Sequence, residues 1–599
     1  MVENQRSCKK GFATLIIVLL AISAYPALYL FRSLDDNRLS SWNDAFAGVE
    51  PFSFFLILTA GIVCAYIISR FSSLEKNPVI FLFPVSYVIP ALFWNEPEII
   101  LDASRYFTQA KHLEVYGISY FFQEWGRDIS VWTDLPVVPF LYGLIFKFFG
   151  ESRIYIQVFT SLLFSMSAVL TYLIGKMLWD KDTGFYGALL FLGIPYMFTQ
   201  VPLMLVDIPT LFFLTLSIST LIMALEKGGC FILLSSFSIF LTVFSKYSTW
   251  LMLSVLVVVV IVVLIRNSRL GPRSGGFPPR AGRPRTQAGS PRRRGDAEEN
   301  ESSGATKLKT QNYIYRSSII GVITGLLIFT FVWYKYDVFS EQINLLLTYQ
   351  KPRLRRWGES FISTFFFQIH PFITIAALYS VYASFRKRDL KYAIIIWLVL
   401  LVLLFQIKRM RYILPVLPMI SLMASYGLMH IKDRMIVRFI SLSVVVSSVI
   451  LAFFVFRPFI EKTSSINIRD AGIYLNSFGM DKIEVFIVID HNSEINPSVY
   501  VPMLDLFTDG KIHYEYDTSQ PLMEKIETSP LRFTWTYKNP RYYSSLKADS
   551  GQTVVVISDR SNPMLPPDIE DKVKRLHISK RLNISDDVYR NQVFMTVYH

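Results

Sequence analysis

Carboxylates set beside arginines and lysines at the mouth of an apolar run can bind a cation or act as general bases on a hydroxyl. The chain carries such residues in a long polar stretch that opens at Asn95-Glu96-Pro97-Glu98. It runs through Asp102 and Asp134-Leu135-Pro136 to Phe149-Gly150, with Arg105, Lys111, Arg127 and Asp128 in between. Further on, Asp207 stands in Leu205-Val206-Asp207-Ile208-Pro209 and Lys246 in Phe244-Ser245-Lys246-Tyr247-Ser248. Lys351, Arg353, Arg355 and Arg356 crowd one polar segment, and Lys408-Arg409-Met410-Arg411-Tyr412 precede Ile413-Leu414-Pro415-Val416-Leu417-Pro418. For each residue the competing reading is bland: a carboxylate solvates a connector, or a cation snorkels to lipid headgroups. His370-Pro371 reads as a packed or kink-associated pair rather than a ligand.

What holds these groups is an apolar scaffold. The 599 residues are 52% hydrophobic and 15% aromatic, with only 18% charged and a mean hydropathy of +0.38. That composition belongs to a polytopic membrane protein. The formal charge of +14 fits basic cytoplasmic loops and does not imply a nucleic-acid partner. Of the three cysteines, Cys8 precedes the first apolar run, and Cys64 and Cys230 lie in or beside others, so no disulfide or metal spacing is present. The basic N-terminus followed by Gly11–Phe31 is a full bilayer crossing without a small-residue cleavage site, and reads as a retained anchor.

A helical crossing needs roughly 20 apolar residues. The expected spans are Gly11–Phe31, Pro51–Arg70, Pro78–Phe93, Ile154–Leu178, Thr183–Thr199, Ile208–Leu225 and Phe231–Val243. They continue with Trp250–Ile265, Ser318–Trp333, Phe361–Phe385, Leu390–Ile407, Tyr412–Met429 and Phe439–Phe456. With about 13 crossings the two ends lie on opposite sides. Arg386-Lys387-Arg388, Lys432/Arg434/Arg438, Lys176/Lys181, Lys9-Lys10 and the segment Arg266 to Lys309 share one side, which the positive-inside tendency makes cytoplasmic. Asp102, Asp207, Lys246 and the C-terminal region then lie outside.

The expected fold is mainly α: a polytopic helical bundle with a C-terminal extracytoplasmic α/β domain. Residues 1–77 hold two N-terminal helices, 78–458 the main membrane region with its outer loop 94–150, and 459–599 the terminal domain. The Pro/Gly/Arg/Ser-rich insert 267–311 is too poor in apolar residues to pack and reads as a disordered cytoplasmic loop. In the terminal domain, Asn467–Phe478 and Val499–Phe507 have helical spacing. Ile483–Ile489, Thr553–Ser558, Lys511–Tyr516 and Val593–Tyr598 read as strands. The domain has no Gly-rich phosphate loop and no nucleophile elbow, so its expected role is structural or in acceptor recognition. Asn583-Ile584-Ser585 has the spacing of a glycosylation sequon.

Basic clusters at Lys351–Arg356 and Lys408–Arg411 run against the positive-inside tendency, and ionisable groups at membrane depth cost several kcal/mol unless paired or hydrated. Cations beside carboxylates at one interface suit an anionic lipid-linked substrate. Arginines would clamp its phosphate, and a carboxylate would deprotonate the attacking hydroxyl.

Taken in order, these motifs resemble the GT-C membrane glycosyltransferases of the protein O-mannosyltransferase and aminoarabinose transferase type. The resemblance covers roughly Pro78 to Met429. It rests on Leu101-Asp102-Ala103-Ser104-Arg105-Tyr106, Asp134-Leu135-Pro136 through Phe148-Phe149-Gly150, Leu205–Pro209, Thr242–Lys246 and Lys408–Pro418. It implies Asp102 as the base, Lys246 as a lipid-phosphate ligand, and Asp207 and Arg411 as matches to the family's later aspartate and Arg-Tyr motif. Ala103 stands where many O-mannosyltransferases have Glu, and the spans before Pro78 are additional to the usual family start.

The resulting expectation is a glycosyltransferase moving a sugar from a polyprenyl- or dolichyl-phosphate donor to a protein, lipid or glycan acceptor. Asp102 is the catalytic residue, and Asp134, Asp207, Lys246, Arg353, Arg356, Arg411 and Tyr412 bind substrate. No cofactor is required; a divalent metal is compatible with Asp35, Asp36 and Asp102 as weak ligands. The protein would be a multi-pass protein of the cell membrane, in contact with membrane lipids and not with nucleic acid. Two other classes stay open. A transporter or flippase of an anionic lipid-linked solute would spread charge through the mid-membrane and show internal repeats. A non-catalytic scaffold would tolerate joint replacement of Asp102, Lys246 and Arg411.

Overall fold

The structure is a computed structural model, which describes residues 15, 17–21, 23, 26–37, 42–269, 292–351, 359–488, 495–515, 526, 529, 531–536, 540–544, 553–589 and 591–599. Among these, seven helices are long and apolar enough to cross a membrane: Pro51–Ser69, Arg153–Leu178, Asp207–Lys227, Ser248–Asn267, Leu308–Tyr334, Met410–Leu428 and Arg434–Ile460. Five shorter apolar helices accompany them: Ile17–Leu30, Pro78–Ala91, Val137–Phe149, Cys230–Val243 and Tyr392–Leu404. Val322, Leu326, Phe329 and Trp333 are exposed along one of the long helices. Side chains of that kind, unpacked over several turns, need lipid rather than water around them. The chain is an integral membrane protein.

Two expected spans are broken, each for a local reason. Thr183–Thr199 divides into Lys181–Phe191 and Pro195–Gln200, because Pro195 starts a new helix where its missing N–H costs nothing. Phe361–Phe385 divides at His370, which is extended and caps the helix Pro371–Lys387 by accepting the Phe372 N–H on its ring. His370 also pairs with Ser447 at 2.9 Å, in keeping with a packed residue at a break.

The stretch 94–150, expected as a long polar loop, instead folds into helices Asp102–Tyr116, Ile118–Glu124 and Val137–Phe149. It escapes a simple hydropathy reading because Asp102–Tyr116 is amphipathic, burying Ala103, Tyr106, Phe107, Ala110 and Leu113 on one face. Gly117 ends this helix with φ of 91°, a left-handed conformation that suits glycine. Of the insert 267–311, expected as a disordered loop, residues 270–291 lie outside the described residues, and 292–311 form the start of the helix Arg292–Tyr334 instead of a loop.

The C-terminal region holds a five-stranded sheet: β1 (Lys482–Val488), β2 (Lys511–His513), β3 (Val554–Ser558), β4 (Ile578–Leu582) and β5 (Phe594–Tyr598), in the order β2-β1-β3-β5-β4. β1 runs parallel to β2 and β3, and β5 antiparallel to β3 and β4. β3 is central and buried along its whole length. Val555 and Ile557 face one apolar cluster, while Val554 and Val556 face another with Ile569 and Val573. Covering on both faces is why this strand is an unbroken apolar run instead of an alternating one.

This domain packs on the end of the bundle that carries Asp102. Leu101 rests against its core. Lys111 Nζ donates to Asp505 at 2.6 Å and to Glu151 at 2.9 Å, and the Tyr543 hydroxyl donates to the same Asp505 at 2.7 Å.

Candidate active site

Two helices begin at one spot, each with an aspartate in its first turn: Asp102–Tyr116 and Asp207–Lys227. Helix N-termini carry partial positive charge and favour carboxylates there. A third element, the four-residue helix Met410–Ile413, brings Arg411 between them. Arg411 Nη1 donates to Asp102 Oδ2 at 2.6 Å, while Nε and Nη2 donate to Asp207 Oδ2 at 3.1 and 2.9 Å. Lys246 Nζ, on the turn after helix Cys230–Val243, donates to the other oxygen of Asp207 at 2.5 Å. On the far side, Arg105 Nη2 donates to Asp134 at 2.9 Å and lies 3.4 Å from Asp102, and Gln109 donates to the second oxygen of Asp134 at 3.1 Å.

The result is an alternating array of carboxylates and cations: Asp134, Arg105, Asp102, Arg411, Asp207, Lys246. Residues from positions 102 to 411 meet within direct hydrogen-bonding reach. Desolvating such charges is costly, and the array persists because each buried member has an opposite partner. Its edge is open: the side chains of Asp102 and Lys246 are 19% and 16% exposed, against 1% for Asp207 and 5% for Arg411. Asp102 and Lys246 are therefore the members that a ligand meets first, with Arg411 directly behind Asp102.

The two carboxylates flanking Arg105 are pushed in opposite directions. Burial by itself would raise Asp102, but Arg411 and Arg105 outweigh it and hold the carboxyl below the usual carboxylate range. Burial raises Asp134, helped by the charge of Asp102 and offset only partly by Arg105. Environments that separate two neighbouring acids in this way assign them different roles. Asp102 is the one held more firmly ionised.

The surrounding loops are tied by a second buried set. Arg153 donates to Glu98 at 3.0 Å and to the Trp94 carbonyl at 2.8 Å, and Glu98 accepts from the Met204 N–H at 3.2 Å. Tyr142 donates to the Leu205 carbonyl at 2.6 Å, which joins the helix Val137–Phe149 to the turn ahead of Asp207. From the C-terminal domain, the ring of Phe533 lies 4.4 Å from the Arg105 guanidinium.

Of the residues expected from sequence, Asp102, Asp134, Asp207, Lys246 and Arg411 are brought together. Tyr412 lies beside them, its ring 4.7 Å from Lys246 Nζ and 5.7 Å from Arg409. Arg353 and Arg356 lie outside the described residues. Asp35 and Asp36 are apart from the array and bond to the segment 360–363. Among the described residues no group of three or more His, Cys, Asp or Glu is arranged to hold a metal ion. Sequence reasoning passed over Arg105 and Gln109 as site residues. Their spacing from Asp102, three and seven positions along an amphipathic helix, is the signal that places all of them on one face.

Helices of this number and an ion-paired array at one end define a class, a polytopic membrane protein with a charged, partly open site. Within that class, residues 134–271 match the family model described as dolichyl-phosphate-mannose-protein mannosyltransferase. That stretch contains Asp134, Asp207 and Lys246; Asp102 and Arg411 fall outside it. No curated protein sequence matches the chain. Among solved structures it is similar to ArnT from Cupriavidus metallidurans bound to undecaprenyl phosphate, at 11% identity and TM-score 0.47 over 87% of this chain and 97% of that one. The apo form of the same protein gives 10% identity and TM-score 0.48 over the same shares of the two chains. The Archaeoglobus fulgidus oligosaccharyltransferase AglB, in complex with an inhibitory peptide and a dolichol-phosphate, is similar at 11% identity and TM-score 0.42 over 82% and 70%.

Proposed function

We propose that the chain is a membrane glycosyltransferase that moves a sugar from a polyprenyl-phosphate donor to an acceptor hydroxyl on the extracytoplasmic face. The observation that carries this reading is the array itself: an ionised, partly exposed carboxylate, Asp102, lies 2.6 Å from an arginine that also grips Asp207 beside a partly exposed lysine. The family model matched over 134–271 points to the same donor chemistry.

In the reaction, the acceptor oxygen attacks the anomeric carbon as its proton passes to Asp102. The bond from that carbon to the phosphate oxygen breaks on the opposite side, so configuration inverts. Polyprenyl phosphate departs with the electron pair, and Lys246 and Arg411 neutralise the developing charge. A phosphate arriving at Arg411 competes for the guanidinium that restrains Asp102, so donor binding makes the carboxylate a stronger base at the moment it is needed. Asp134 fixes Arg105, and Tyr412 supports Lys246.

The test is a comparison of lipid extracts from cells with and without the protein. A polyprenyl-phosphate monosaccharide should accumulate in its absence and fall when the chain is restored. An unchanged pool of lipid-linked sugars would overturn the reading.

A further inference from the structure

Arg411 sits in the first turn of the span Met410–Leu428, directly after a strained connector. Between helix Tyr392–Leu404 and helix Met410–Ile413 the chain turns through Gln406, a non-glycine residue with φ of 50°. Such a conformation is sparsely populated and persists only where the surroundings over-determine it. The first N–H groups of a helix have no partner within it, and the N-cap of this one, Arg409, makes no side-chain cap.

The constraint arrives from elsewhere in the chain. The Thr364 hydroxyl donates to the Lys408 carbonyl at 3.2 Å, and Glu359 accepts the Met410 N–H at 2.9 Å. Glu359 is 5% exposed, so the Met410 N–H next to Arg411 is capped by a buried carboxylate 51 positions away. The segment bearing Glu359 is pinned in turn by the N-terminal region. Asp36 accepts the Ser360 N–H at 2.7 Å, and Asp35 accepts the Ser363 hydroxyl. Asp35 also takes the Trp42 N–H at 2.6 Å, and the buried Trp42 ring lies 5.7 Å from that of Phe456 in the span Arg434–Ile460. A continuous series of contacts therefore leads from a membrane helix through Trp42, Asp35, Asp36 and Glu359 to Met410 and Arg411.

We infer that Asp35 and Asp36, together with the helix Trp42–Ala47, none of which the expected catalytic region includes, are a buttress that sets Arg411 at the depth where it meets a lipid-linked phosphate, with Glu359 and Asp36 as positioning residues. This rests on the proposed role of Arg411 in donor binding. The three bonds from Arg411 to Asp102 and Asp207 leave it little freedom, so a shift of its backbone by an ångström removes it from at least one partner.

The test uses the purified full chain with undecaprenyl phosphate as probe, its affinity measured on folded protein for Glu359→Ala, Glu359→Gln, Asp36→Ala and Arg411→Ala. Misplacement by an ångström can cost on the order of a hundredfold, and the expected loss for Glu359→Ala and Asp36→Ala is about tenfold or more. Glu359→Gln keeps an oxygen that accepts the Met410 N–H, so affinity should return to within about threefold of the parent. A merely structural role would lower the melting temperature without this rescue in affinity. Asp36 is exposed, so Asp36→Ala tests the inference even where Glu359→Ala does not fold. Parental affinity in Glu359→Ala and Asp36→Ala, beside weakened binding in Arg411→Ala, overturns the buttress and leaves the proposed function standing. Parental affinity in Arg411→Ala overturns the assignment of Arg411 itself.

Discussion

Replacing Asp102 with asparagine separates chemistry from architecture better than any other change in the array. Arg411 keeps both of its bonds to Asp207, at 2.9 and 3.1 Å, and an asparagine oxygen at 102 still accepts from Arg411 Nη1. The other contact of Asp102, to Arg105, is long at 3.4 Å, and Arg105 retains Asp134 at 2.9 Å. No cation is orphaned. The stability loss should therefore be on the order of 1–2 kcal/mol, that of an ion pair reduced to a hydrogen bond between a cation and a neutral amide. Loss of a positioned base lowers the chemical step about 10²–10⁴-fold, which is about 3–5 kcal/mol in activation free energy. The assay is release of polyprenyl phosphate from a polyprenyl-phosphate sugar in membranes that contain the native acceptor, with thermal melting of the same preparation. The expected result is a fall in kcat with donor KM nearly unchanged. The pH dependence follows from the depressed carboxyl. Its stabilising contribution is complete above the unfolded value of about 3.9 and is lost only as pH falls through the lower folded value. Asp102 therefore imposes no acid limb on kcat/KM of the parent protein between about pH 5 and 8. A kcat within threefold of the parent, or a loss that tracks the fraction of unfolded protein, would refute the assignment.

The corresponding change at Asp207 should fail differently. Asp207→Asn weakens both Lys246 and Arg411 at a site 1% exposed, so a cost of about 3–5 kcal/mol in stability is expected, visible as a lower melting temperature and poor recovery of folded protein. His112, buried against the rings of Tyr120 and Tyr542, is pushed down to about 4 by burial. The unfolded chain binds the extra proton between pH 6.5 and 4. The contribution of the neutral ring is therefore full above pH 6.5 and is lost as pH falls through that window. Melting of His112→Phe should depend less on pH there than melting of the parent, and identical slopes would contradict the burial argument. Lys111→Met leaves Asp505 with Tyr543 alone and should loosen the C-terminal domain from the bundle, seen as faster proteolysis within 459–599 at unchanged solubility. Gly427→Ala would set a methyl 2.4 Å from the Ala376 carbonyl oxygen and should cost about 1–3 kcal/mol. Gly321→Ala, with nothing within 4 Å, should leave melting unchanged.

What could be read from the chain beforehand follows from how far each signal reaches. Apolar runs are local, so the spans were legible. The breaks at Pro195 and His370, and the amphipathic helix Asp102–Tyr116, were not, because a hydropathy window averages across a proline and scores a two-faced helix as polar. The strands β1, β3 and β5 were visible as short apolar runs, and β2 as the alternation of Ile512 and Tyr514 with polar neighbours. β4, with Ile578, Ser579 and Arg581 exposed, offers little apolar pattern and is held by pairing with β5.

The site divides along the same line. Asp102, Asp134, Asp207, Lys246 and Arg411 could be picked out because a charge beside an apolar run is anomalous in itself. Glu359 could not, and Asp36 stood out only as a weak metal ligand, since each acts by accepting a backbone N–H from a distant segment, which leaves no periodicity and no spacing. That distinction bears on how the array works. The groups that would touch substrate announce themselves by being expensive to place in a membrane. The groups that hold those residues in register are ordinary acids whose effect depends on a partner's backbone. A charge array whose members alternate in sign has many nearly equivalent pairings, and a lone arginine between two aspartates could settle on either. On the proposed reading, pinning the backbone at Met410 from outside the array would make the shared arrangement, with Arg411 on both Asp102 and Asp207, the one that persists until a phosphate competes for it.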